Sequence, residues 1–128
     1  MTKPTPEVLL SELQLALMRV LWDSGEASAG EVAEALRPGR RLAYTTVATL
    51  LARLEKRGVL ASIRDGRQLR YRALLSEAAV RRSMVSGLLA SLFGGNAGAL
   101  LSHLVDEREV GRKDLEQIRE LLNKGRRR

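Results

Sequence analysis

The hydrophobic rhythm of the chain changes at Gly58, and no other feature constrains the fold as much. Before it, in RLAYTTVATLLARLEKRG (residues 41 to 58), Val47, Leu50, Leu51 and Leu54 recur at helical spacing and stop at the glycine. After it, GVLASIRDGRQLRYRALLS reads as a hairpin. Asp65-Gly66 is a strong hairpin signal, and it predicts a type I′ turn with positive φ at both central residues. Leu69 and Tyr71 alternate with Gln68, Arg70 and Arg72 on one side of it, and Leu60 to Arg64 supplies the other strand. The pair is expected to be a small two-stranded sheet with a basic tip and a basic exposed face.

Two further helices precede this pair. Ser11 with Gln14 is a capping box ahead of Leu13, Leu17, Met18, Val20 and Leu21, and Ser24-Gly25 stops that helix. Trp22 reads as a core anchor at its end. Ser28 with Glu31 is a second capping box, followed by Val32, Ala33 and Leu36. Residues 37 to 41 form a loop, and no strong cap precedes Tyr44. Residues 1 to 10, with Pro4 and Pro6, read as a loose arm.

Beyond the hairpin the apolar residues lack a partner. Ser76 starts a helix lined by Val80, Met84, Val85, Leu88, Leu89, Leu92 and Phe93, which Gly94, Gly95 and Asn96 break. A short helix follows with Leu100, Leu101, Leu104 and Val105. A last helix runs from about Arg112 to Asn123, with Leu115, Ile118, Leu121 and Leu122 on one side. So short a segment cannot bury these stripes on itself. Two domains are therefore expected, 1–75 and 76–128, the second pairing with its copy. The predicted dimerisation residues are Val80, Met84, Leu88, Leu92, Leu101, Leu104, Leu115, Ile118 and Leu122.

The third helix carries Thr45, Thr46 and Thr49 on its polar face, although Thr is restricted at χ1 in a helix. Three such residues in place of Ala cost at most about 2 kcal/mol. Charge gives the reason. The chain has a net charge of +7, and the excess lies in one segment. Arg37, Arg40, Arg41, Arg53, Lys56, Arg57, Arg64, Arg67, Arg70 and Arg72 face only Glu55 and Asp65 there. Such a local excess suits a polyanion. Three helices and a basic hairpin are the order of a winged helix-turn-helix, whose third helix enters the DNA major groove while the hairpin reaches the flanking backbone. The groove, about 12 Å wide, admits a helix. Short side chains allow close approach, and Thr can donate to phosphates or pack on thymine methyls. The predicted DNA-binding residues are Arg41, Thr45, Thr46, Thr49, Arg53, Arg64 and Arg67.

Each residue has a plainer explanation. A surface Thr ordinarily bonds only its own helix. Lys56 and Arg57 also favour the helix dipole, and Arg64 and Arg67 guard a strand edge. Their coincidence on one surface favours DNA.

Other classes are poorly supported. The chain has no cysteine and one histidine, His103. That rules out disulfides, thiolate catalysis and Cys- or His-cluster metal sites. No phosphate-cradling loop or nucleophile–base pair is present, so no catalytic residue, cofactor or enzyme activity is expected. No apolar run approaches a membrane span and MTKPTPEVLL lacks a signal-peptide core, so a cytoplasmic protein without membrane insertion is expected. His103 reads as a surface or interface side chain, a pH or metal trigger being the lesser reading. A ligand-sensing regulator, with a small-molecule pocket at the dimer interface, is the alternative function.

LSELQLALMRVLW, GEASAGEVAEAL, LAYTTVATLLARLEKRGVL, RDGRQLRYRALLS and LFGGNAGALLSHLVDE, in this order, resemble the penicillinase-repressor (BlaI/MecI/CopY) family of bacterial transcriptional regulators. The resemblance runs from about Leu10 to Leu122. It implies a mainly α fold with a small hairpin: a winged helix-turn-helix and a C-terminal helical dimerisation domain. It implies a homodimeric repressor on a palindromic operator of double-stranded DNA. The family's DNA-contacting face falls on Thr45, Thr46, Thr49 and Arg53, with the wing at Arg64 to Arg67. Members answering β-lactams are cut at an Asn-Phe bond in the short helix, which implies a membrane-bound sensor metalloprotease as a partner. The corresponding bond here is His103-Leu104. The cysteine pair of copper-responsive members is absent, which excludes that route. Gly111, Arg112 and Lys113 stand where the last helix usually has a Ser cap and acidic residues, so its start is expected to be weak.

Overall fold

The computed structural model describes residues 8 to 126. In chain order the elements are α1 (Glu12–Ser24), β1 (Ala27–Ser28), α2 (Ala29–Leu36), α3 (Tyr44–Lys56), β2 (Leu60–Asp65), β3 (Gln68–Ala73), α4 (Glu77–Phe93), α5 (Ala97–Asp106) and α6 (Arg112–Arg126). Two compact units divide inside α4, one running to Val85 and the other from Ser86.

Local chemistry sets the boundaries of the first unit. Ser11 accepts from the Gln14 amide and the Gln14 side chain returns the bond, so the first capping box is complete. Ser28 and Glu31 form the second in the same way. Each satisfies two backbone donors that would otherwise lack partners at a helix start. α3 has no such cap, and Ala43 at its N-cap makes no side-chain bond. Gly58 ends it at a φ of 82°, a left-handed conformation that costs glycine little.

The core is aliphatic. Leu17, Met18 and Leu21 of α1, Val32 of α2, and Val47, Leu51 and Leu54 of α3 are fully enclosed, with Val59, Leu60 and Tyr71 from the hairpin side. Burying each such side chain is worth roughly 1.5–3 kcal/mol. Trp22 is half-buried and its Nε1 donates to the Leu75 carbonyl at 2.9 Å, so it ties α1 to the end of the hairpin.

Four details depart from the sequence-based expectation. The sheet has three strands, in the order β1-β3-β2, because Ala27 and Ser28 pair with Tyr71 and Arg70. The hairpin turn is also displaced by one residue. Asp65 pairs with Gln68, which leaves Gly66 and Arg67 as the central pair. Gly66 has a φ of 65°, whereas Arg67 is not among the positive-φ residues. A single glycine at the first position is the pattern of a type II′ turn, which suits strand twist as well as type I′.

The third detail is the arm. Residues 1 to 7 lie outside the described residues, but Val8 and Leu10 are buried in the core and the Val8 amide donates to Ser83 Oγ at 2.8 Å. The last concerns Val80. Proposed for a dimer surface, it is 1% exposed within the first unit's own core, with Met84 packed against it. Val80 is therefore already used within one chain's own core.

In the second unit Asn96 caps α5, accepting from the Ala99 amide. The weak start expected for α6 is compensated by Asp114, whose carboxylate accepts from the Gly111 amide at 2.9 Å. α6 also continues past Asn123 to Arg126. From Ser86 to Gly125 no residue is buried. Leu92, Leu121 and Leu122 are 70%, 68% and 64% exposed, with Leu88, Leu115 and Ile118 exposed to a lesser degree. Leu101 and Leu104 are half-buried. The ring of His103 lies 5.9 Å from that of Phe93, centroid to centroid.

Candidate nucleic-acid interface

α3 presents two distinct faces. Val47, Leu51 and Leu54 fill the core, so the opposite side faces solvent. Thr45, Thr49, Ala52 and Lys56 follow one another there at three- and four-residue spacing, with Thr46 and Arg53 beside them, and all six are exposed. Thr46 is not part of the core. Ala52 and Lys56, outside the predicted site set, complete the stripe, and the periodicity of the buried residues would have identified them. Tyr44 opens the helix 58% exposed.

The N-terminus of α3 is electrostatically open. It has no side-chain cap and no acidic residue in its first turn, and Arg41 lies just upstream, lining a shallow depression with Arg37, Leu42 and Ala43. Unpaired amides and the positive end of the helix dipole favour an anion there.

The hairpin adds charge in a defined direction. Ser62 pairs with Tyr71 and Arg64 with Leu69, and residues directly opposed in antiparallel strands share a face. Ser62 Oγ donates to Glu55 Oε2 of α3 at 2.5 Å, so this face is turned towards α3 and carries Arg64 with it. Arg67 sits in the turn. Arg70 and Arg72 belong to the other face.

The ten basic residues between Arg37 and Arg72 divide into two groups. Arg37 pairs with Glu34 at 3.4 Å and Arg40 with Glu12 at 2.7 Å. Arg57 donates to the Leu9 carbonyl at 3.0 Å. Arg70 bridges Glu26 and Glu31 at 2.7 and 2.6 Å, so the exposed face of the hairpin is less basic than alternation suggests. Among the described residues, Arg41, Arg53, Lys56, Arg64, Arg67 and Arg72 have no ion-pair or side-chain hydrogen-bond partner. The four predicted arginines all belong to this second group.

Ionisation follows the same division. Hydrogen bonds from the Ser28 backbone and side chain, then from Arg70, hold the Glu31 carboxyl below its ordinary range. The bonds to Glu26 and then Glu31 keep Arg70 more firmly protonated than a free arginine. Burial, then the negative charge of Glu55, raises the Tyr71 phenol.

One cavity of about 220 Å³ lies between α1 and the start of α4, lined by residues that include Leu15, Trp22, Val80 and Met84. It is smaller than the roughly 300–1,000 Å³ of ordinary ligand pockets.

The chain is similar to known proteins along most of its length. The transcriptional regulator BlaI of Mycobacterium tuberculosis (strain CDC 1551 / Oshkosh) is 36% identical over 115 residues, which cover 88% of this chain and 82% of that protein. A 16.5 kDa protein in the ptsI 3′ region of Latilactobacillus sakei is 30% identical over 122 residues, covering 95% of this chain and 82% of that one. The solution structure of the DNA binding domain of the repressor BlaI superposes with a TM-score of 0.51 at 28% identity, over 62% of this chain and 93% of that domain. The penicillinase repressor family model matches residues 10–124. With the winged-helix architecture of its first unit, the chain belongs to the penicillinase repressor family of DNA-binding transcriptional repressors.

Proposed function

We propose that this protein represses transcription by binding a palindromic operator as a homodimer, with α3 in the major groove and the hairpin on the flanking backbone. The observation that carries the reading is the division of the cations. Those on Arg41, α3 and the hairpin tip are free, whereas most of the others are held by carboxylates or carbonyls. Thr45, Thr46 and Thr49 contact bases or phosphates, Arg53 reaches a phosphate or guanine edge, and Arg64 and Arg67 grip the wing-side backbone. The second unit, from Ser86 onward, supplies the dimer contacts through Leu88, Leu92, Leu101, Leu104, Leu115, Ile118 and Leu122, while Met84, like Val80, is used by the first unit's core. The protein acts in the cytoplasm, where the operator lies.

An inducing signal releases the repressor. Proteolysis in α5 by a membrane-bound sensor metalloprotease is the route suggested by the family resemblance, and here it falls at His103-Leu104. Intact-mass analysis of the protein from induced cells should then find the two fragments of that cut.

Selection of genomic fragments by the purified protein, followed by titration at several salt concentrations, tests the main reading. Counterion release predicts a log–log slope of about −0.9 per phosphate neutralised. Salt-insensitive or absent binding would remove the DNA assignment.

A further inference from the structure

Arg70 lies in the wing but has no role in the DNA-facing set. Its side chain is 21% exposed, and it stands on β3 between Ser28 of β1 and Ile63 of β2. Its guanidinium reaches carboxylates on both sides of β1. Nε donates to Glu26 Oε1 at 2.7 Å, Nη1 to Glu31 Oε1 at 2.6 Å, and Nη2 to the Glu26 carbonyl at 3.4 Å. Glu31 Oε1 also accepts from the Ser28 amide at 3.0 Å. One carboxylate oxygen therefore closes the capping box of α2 and holds β3.

We propose that Arg70 is a positioning residue that clamps the wing to the N-terminus of α2 and sets the wing's approach to DNA without touching DNA itself. The proposal rests on the DNA-binding reading above. The β1–β3 pairing is only two residues long, too short to orient a hairpin by its ladder alone. A planar fork with donors in fixed directions can join two carboxylates, which a lysine ammonium does less well. Two carboxylates also outweigh the single positive charge, so this site does not attract a phosphate. The neighbouring Arg64, Arg67 and Arg72 have no such partners and remain available for backbone contact.

The test compares Arg70→Met and Arg70→Lys with wild type. In the free protein, amide exchange at Ala27, Ser28 and Tyr71 should accelerate at least about tenfold in Arg70→Met, while Leu51 and Leu54 of α3 keep their protection. Affinity for the selected fragments should fall about tenfold with an unchanged salt slope. Arg70→Lys should not restore it. A slope reduced by about 0.9 would make Arg70 a direct phosphate contact and overturn the proposal. So would unchanged exchange, or full rescue by lysine. If the wild type binds no DNA, the functional reading fails, and the exchange measurement alone still decides whether the clamp exists. Should Arg70→Met not fold, Glu26→Gln removes one charged arm and leaves the capping box intact. It should shift exchange in the same direction by about threefold, and no shift would overturn the clamp.

Discussion

Thr49 and Arg53 stand one turn apart on the solvent side of α3, clear of Val47, Leu51 and Leu54. Their side chains support no part of the core, so Arg53→Ala and Thr49→Ala should leave the melting temperature within a few degrees of wild type. Binding to the selected fragments should weaken by about 1–3 kcal/mol for Arg53→Ala, and by less for Thr49→Ala. Retention of wild-type affinity by both would show that another face meets DNA. Glu31 gives a pH signature. Its folded carboxyl titrates below the unfolded reference of 4.5, so its stabilising contribution is complete above that value. The contribution is lost as pH falls through the lower folded pKa. Glu31→Gln should therefore flatten the fall in melting temperature between neutral pH and about pH 3. An identical profile for the variant would place the acid sensitivity elsewhere.

At the scale of elements, caps and turns determine where each segment begins and ends. Ser28 is buried and caps α2, so Ser28→Ala should cost about 1 kcal/mol in urea denaturation. Gly66 holds a positive φ at the hairpin corner, and Gly66→Ala should cost about 1–2 kcal/mol because an L side chain rarely adopts that backbone conformation, even though the space around it is open. The capping boxes of α1 and α2 were legible because each depends on residues three apart. The turn type was not, since Asp-Gly-Arg serves both the expected I′ and the observed II′ pattern, and only the pairing of Asp65 with Gln68 chooses between them. β1 could not be read either. Two residues have no periodicity, and Ala27-Ser28 become a strand only where β3 lies beside them. At the start of α6, Gly111 to Lys113 offer no cap of their own, and Asp114 one residue further on supplies the bond to the Gly111 amide.

At the scale of the whole molecule, the two units differ in how well they are filled. The first has a closed core. The second, with no buried residue from Ser86 to Gly125, cannot be stable alone by apolar burial. We expect a dimer at micromolar concentration in sedimentation. Replacing Ile118 and Leu122 together by Asp should yield a monomer whose Trp22 fluorescence and winged unit are native. A folded wild-type monomer at that concentration would refute the role given to α4–α6. Salt-dependent fragment binding should fall sharply in the same variant, because a palindrome needs two heads.

Local rules, then, determined the helices, their caps, the hairpin and the division between polar and apolar faces of α3, since all depend on neighbours within a turn or two. Apart from the local Arg37–Glu34 pair, the tertiary structure decided which cations are free. Arg53 and Arg70 look alike in sequence, but Glu26 and Glu31 lie far from Arg70 along the chain and reach it only after β1 packs on β3. The same holds for Val80, whose helical stripe could face a second copy or its own core. Burial in the first unit's core settles that choice, because periodicity marks a side as apolar without naming what will cover it.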